Sequence, residues 1–184
     1  TTEPAGRTRR NASLRLRLVA ALDLRDAQPS FSVQPQLNEI DLREAFLALT
    51  GKADAAGQLN VQMTVSGNGK DIFTIQQSLL GTGQFSVASP SLATINIEQT
   101  ICQSLALLSG KTASGSFSDG TQLDALQGNL KFANGQLLIS DLSSAIGNLK
   151  LRGRSSIQMI EQTYQLNADA VIAGSKSSPY GCAI

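Results

Sequence analysis

The chain has no histidine and no tryptophan. The first absence removes the side chain that most often acts as a general base near neutral pH and most often ligates transition metals. Its serines would then need an Asp, Glu or Lys as base, and no motif supplies one. Charge is scarce too: Asp, Glu, Lys and Arg make up 16% of the residues, against about 25% in an average soluble domain. The surface must therefore be built mostly from Ser, Thr, Asn, Gln and Gly, which suits a β protein working outside the cytoplasm. A net charge of +1 gives no field for nucleic acid. No apolar run approaches the ~20 residues of a membrane-spanning helix, since Val19-Ala20-Ala21-Leu22 is short and flanked by Arg17 and Asp23. No signal segment is visible, so any targeting segment is expected upstream. The expectation is a non-enzyme with no cofactor and no metal.

What is present is strand grammar. Leu59, Val61, Met63 and Val65 alternate with Asn60, Gln62 and Thr64, the two-residue period of a strand with one apolar and one wet face. Phe85 and Val87 share one face of a second such run. Between them, Asp71 opens a short helical pattern of Ile72, Ile75 and Leu79, closed by Gly81. This strand-helix-strand unit recurs. Asp41 with Glu44 predicts a capped helix start, followed by a stripe of Leu42, Phe46 and Leu49 and a stop at Gly51. Asn96 with Gln99 starts a third helix, striped by Ile97, Ile101, Leu105 and Leu108 and ended at Gly110. Helices this short need a larger surface to pack on, and the apolar sheet face is the candidate.

Leu14, Leu16 and Leu18 alternate with Arg15 and Arg17 in a sharply divided strand. Phe31, Val33 and Leu37 form another, where Pro35 points to an edge or a bulge. Lys111–Gly120 reads as a loop. Beyond it the chain is all β, with a hairpin at Asn134-Gly135, because both residues tolerate the positive φ of a type I′ turn. The last two strands, through Leu149, Leu151, Ile157 and Met159 and through Tyr164, Leu166 and Ile172, are expected to be unusually long.

Chemical motifs are weak. Asp119, Asp124 and Asp141 lack paired spacing and read as turn caps. Gly67-Asn68-Gly69 with Lys70 falls short of a phosphate-binding loop. Arg7, Arg9, Arg10, Arg15 and Arg17 form a basic patch, read as a solvated tail and strand face or as a contact for anionic lipid. Asn11-Ala12-Ser13 matches a glycosylation sequon, a pattern common by chance. The two cysteines, Cys102 and Cys182, fit neither a metal site nor CxxC chemistry. They are either one disulfide closing a long loop, worth ~4 kcal/mol if unstrained, or two unrelated thiols.

Several phrases, taken in order, resemble the carboxy-terminal region of the AsmA family, which is related to TamB-like envelope proteins. They are Asn38-Glu39-Ile40-Asp41-Leu42, Gly57-Gln58-Leu59-Asn60-Val61, Ile75 through Phe85, Ile95-Asn96-Ile97, Thr121 through Leu126, Phe132 through Leu137, and Leu151 through Ile157. The likeness spans residues 38 to 173. Leu123 stands where the family often has Phe, and the family commonly continues past Cys182 to another Cys, which would give Cys182 a second partner. The resemblance implies a periplasmic domain attached to the inner membrane and a role in outer-membrane assembly or lipid passage.

The expected fold is α+β but mainly β: a curved, largely antiparallel sheet of long strands with about three short amphipathic helices packed on it. The expected organisation is a flexible tail over 1–12, one domain over 13–173 and an irregular tail over 174–184. The expected partner is a phospholipid or other envelope lipid lying on the apolar face, with Leu149, Leu151 and Leu166 as lipid-facing candidates. The competing expectation is a docking module for other envelope proteins, presenting an edge near Phe31–Leu37.

Overall fold

A computed structural model describes residues 15–25, 27–113, 115, 117–147 and 149–172. The proposed tails, the sequon, Arg7, Arg9, Arg10 and Cys182 lie outside the described residues. The strands are β1 (Arg15–Asp23), β2 (Ser30–Asp41), β3 (Ala55–Asn68), β4 (Leu80–Leu92), β5 (Thr121–Gln122), β6 (Ala125–Ala133), β7 (Gln136–Ile146), β8 (Leu149–Gln158) and β9 (Thr163–Ile172). The helices are α1 (Leu42–Thr50), α2 (Ile72–Ser78) and α3 (Ile97–Leu108). All nine strands belong to one curved, open, antiparallel sheet, ordered β1-β2-β3-β4-β6-β7-β8-β9 with short β5 beside β4.

Cross-strand partners share a face, so the register identifies the faces. One unbroken row runs Ala20, Val33, Val65, Gly81, Phe132, Leu137, Ile157, Tyr164. Another runs Arg17, Gln36, Gln62, Gln84, Asn129, Ser140. The first belongs to an apolar face and the second to a polar one, as the alternation in β3 requires. Where alternation slips, a bulge restores it. Leu37 and Ile40 are three apart in sequence, yet oppose Val61 and Leu59 on one face. Ile139 and Leu142 do the same on β7, opposite Ser155 and Gly153. The extra residues sit at Glu39 and Asp141, both left-handed (φ 58° and 52°), and Ser89 on β4 is likewise left-handed at 47°.

Helix starts match their caps. The Asp41 carboxylate accepts from the amides of Arg43 (2.9 Å) and Glu44 (3.4 Å), but no return bond from Glu44 occurs among the described residues. The reciprocal box forms at α2 instead, where Thr74 N–H donates to Asp71 (2.8 Å) and Asp71 N–H donates to Thr74 Oγ1 (3.4 Å). Asn96 Oδ1 accepts from Gln99 N–H at 2.7 Å. Asn134 and Gly135 take φ 53° and 72°, the type I′ hairpin turn.

Five expectations need correction. Gly81 does not close α2: Leu79 caps it, and Gly81 is already in β4, where an added Cβ would lie 2.3 Å from Thr64 O. Leu49, Leu105 and Leu108 are exposed rather than inward, and the residues that α3 buries fully are Cys102 and Ala106. Pro35 is not at an edge. β2 has a neighbour on both sides, and its ladder to β3 lapses at Gln34 and Pro35, so the missing amide falls where no bond is made. The Phe31–Leu37 segment is therefore no docking edge, and the edges are β1 and β9. The longest strands are β3 and β4, with 14 and 13 residues, whereas β8 and β9 have 10 each.

The tightest core lies under α3. Leu123, Ile146 and Leu149 form it, with Ile97, Ile101 and Leu151 against them. Buried Thr121 holds the helix start there, donating to Ile95 O (2.7 Å) and accepting from Ile97 N–H (2.8 Å). Leu149→Ala should therefore cost about 2–5 kcal/mol in denaturant unfolding, while Leu166→Ala, 60% exposed, should stay within about 0.5 kcal/mol. At the β2 bulge, Glu39→Val should cost about 1–2 kcal/mol because a β-branched side chain opposes positive φ, and Glu39→Gly should not destabilise the same transition.

Candidate functional site

The apolar face is the largest feature that the fold leaves without a second layer. α1 rests against β2 and β3, α2 against β3, and α3 covers the cluster around Leu149. Among the described residues nothing else lies over the sheet. Across the middle of the face, Leu37, Val61, Met63, Phe85, Leu130, Phe132, Ile139 and Leu142 are half-buried, screened mainly by one another. Toward the edge strands the screening fails: Leu16, Leu18 and Leu22 are 60%, 56% and 66% exposed on β1, and Tyr164 is 79% exposed on β9. The eight strands of the main path make a face about 34 Å wide at ~4.8 Å per step.

Two aromatic rings shape this surface. Phe85 stands opposite Gly128, where an added Cβ would meet the ring at 2.9 Å. Phe31 lies over Gly67 in the same way, also at 2.9 Å. Each ring occupies the space of its missing neighbour, so the face stays low and continuous. Leu149, Leu151 and Leu166 share this apolar face by register, but they differ in access. Leu149 is 1% exposed under Ile97 and Ile101 and has no surface to offer a ligand. Leu151 is half-buried beside it, and Leu166 is open. The accessible middle of the face, Leu130 beside Ile139, was missed as a candidate although its alternation is plain in the sequence.

The opposite face carries a cleft of about 500 Å³ lined by Gln36, Gln62, Gln84, Gln127, Asn129 and Asp141, among others. Asp141 accepts from Asn129 Nδ2 (2.9 Å) and Ser140 Oγ (3.1 Å), bonds that hold the bulge. No cluster of metal-ligating groups occurs among the described residues. The Gly67-Asn68-Gly69 amides are already engaged: Asn68 N–H donates to Ser78 Oγ (2.8 Å) and Gly69 N–H to Pro29 O (3.0 Å). Arg15 and Arg17 are exposed on the outer strand β1. Cys102 is buried and disulfide-bonded, while Cys182, the other end of the anticipated bridge, lies outside the described residues.

Comparison with family models, curated proteins and solved structures finds no match to this chain.

Two carboxylates are held below their ordinary value of 3.8. Arg25 does this to Asp23 by a side-chain and a backbone bond, and the Thr74 amide is the main cause at Asp71. A folded-state pKa below the unfolded one stabilises at pH above the unfolded value and is lost as pH falls through the folded value. The α2 end of the apolar face should therefore loosen below about pH 4. A fall in the protection of the Thr74 amide over that range, measured against its intrinsic exchange rate at each pH and absent in Asp71→Asn, is the expected result.

Proposed function

We propose that this chain is the periplasmic part of an AsmA-like protein anchored in the inner membrane, and that its apolar sheet face binds or conducts the acyl chains of a phospholipid or other envelope lipid in outer-membrane assembly. The observation that carries this reading is the apolar face between β1 and β9, which the three helices cover only in part and which leaves side chains such as Leu18 and Leu166 in water. Acyl chains are the ligand that such a face suits. Attraction scales with buried area and needs no directional bond, so a chain can bind anywhere along the face and slide. Half-burying a dozen methylenes contributes on the order of 5 kcal/mol, enough to hold a chain and weak enough to release it. The ordered AsmA-like phrases over residues 38 to 173 support the same reading.

The second reading is a docking module for envelope proteins without lipid cargo. It is favoured by the outer edges of β1 and β9, which pair with no further strand among the described residues and can each accept a partner strand.

The full chain, purified without detergent, should bind a fluorescent acyl probe and carry lipid in native mass spectrometry. Leu130→Asn with Ile139→Asn, a cross-strand pair in mid-face, should weaken probe binding about tenfold with the melting transition retained. Gln62→Glu on the polar face should leave binding unchanged. A lipid-free wild-type chain that ignores the probe would sink the lipid reading.

A further inference from the structure

We propose that copies of this chain join edge to edge, β9 of one against β1 of the next, so that a single sheet with one continuous apolar face runs through the assembly. This goes beyond the lipid reading and stands whether or not the face takes lipid.

Three independent features of the sheet point to that partner. The first is direction. The main path holds eight strands, each antiparallel to its neighbour, so β1 and β9 run in opposite senses. A second copy translated across the sheet therefore sets its β1 antiparallel to β9, the same pairing that builds every other ladder.

The second is phase. The unbroken row from Ala20 to Tyr164 places those two residues at one level on one face. Continuing that row into the next copy pairs Ala20 with Tyr164. Stepping along the two strands then brings Leu18 level with Leu166 and Leu16 level with Ala168. These side chains all lie on the apolar face and are exposed, the large ones being Leu16, Leu18, Tyr164 and Leu166. Cross-strand apolar neighbours would screen them, as neighbours already do in mid-sheet.

The third is charge. In the same register, Arg15 comes level with Asp169 on the polar face, and Arg17 comes level with Asn167. At the far end Asp23 extends past the level of Thr163, where β9 begins, and its carboxylate is already paired with Arg25. Open edges with matched phase and charge are what other sheet proteins avoid by inward charges, prolines or covering loops. Here the described parts of β1 and β9 carry no proline.

The joint is head-to-tail, so growth does not stop at a dimer. Sedimentation velocity of the full chain without detergent should show species that lengthen as concentration rises from micromolar to near-millimolar. Arg15→Glu alone, or Asp169→Arg alone, places like charges across the joint and should weaken association at least about fivefold. Both sites are exposed, so far-UV dichroism should match wild type; Asp169→Arg also sets a like charge opposite Arg152 on β8 and should lower the melting temperature slightly, whereas Arg15→Glu, opposite Asn38, should leave it unchanged. An equimolar mixture of the two variants pairs opposite charges at every joint and should recover wild-type association. A wild-type chain that stays monomeric overturns the proposal. So does association indifferent to both substitutions, which would mean the apolar faces meet. Weakening by Arg15→Glu with Asp169→Arg silent also overturns it, assigning the contact to β1 pairing with itself.

Discussion

A single hydrogen-bonded sheet with one apolar face is the constraint on which everything else in this molecule depends. A sheet normally hides such a face under a second layer. Here the second layer is three short helices, and they reach only parts of it. The apolar side chains that remain must screen one another within the sheet. They do so in the middle, where each has neighbours on both flanking strands, and fail on β1 and β9, where one flank is missing. The gradient of exposure from centre to edge follows from strand position, because side chains of similar size and hydrophobicity occur in both places.

The bulges serve that same constraint. An antiparallel strand that gains one residue reverses its faces from that point on. Glu39, Ser89 and Asp141 absorb that reversal on β2, β4 and β7 by taking left-handed φ. Ile40 and Leu142 thereby return to the apolar side. Three non-glycine residues in an unfavourable region carry a backbone cost of order 1–3 kcal/mol each. Keeping the apolar residues on one face outweighs it, since burying a single Leu or Ile stabilises by about 1.5–3 kcal/mol. At Asp141 the strained residue also makes two side-chain bonds that fix the turn of the backbone.

Much of this was legible in the sequence because it is local. The β3 alternation, the caps at Asp71 and Asn96 and the Asn134-Gly135 turn each depend on a few adjacent residues, and each formed as read; Asp41 caps α1 as read but, among the described residues, without the return bond from Glu44. What was not legible depends on partners far along the chain. Pro35 looks like an edge signal, yet it is tolerated inside the sheet because the β2–β3 ladder lapses beside it. The rotation of α3 is fixed by Thr121 and the Leu149 cluster, so its own Leu periodicity misleads. Leu149 read as an open strand residue because nothing nearby announces that Ile97 and Ile101 will cover it. A usable signal did exist at the bulges: the spacing of three in Leu37–Ile40 and Ile139–Leu142 breaks alternation in otherwise regular strands.

The candidate site was therefore readable as a face but not as a boundary. Composition and alternation say that one side of the sheet is apolar. Only the register says which parts are sealed, and it moves the accessible surface from Leu149 toward Leu130, Ile139 and the two edges. That shift has a physical consequence. A ligand held by area alone follows accessible area, so on the lipid reading proposed above its path would lie away from α3 and cross the strands toward β1 and β9. The edges, where exposed apolar side chains occur on strands with only one neighbour among the described residues, are then the places where the face would gain most from being extended by further strands.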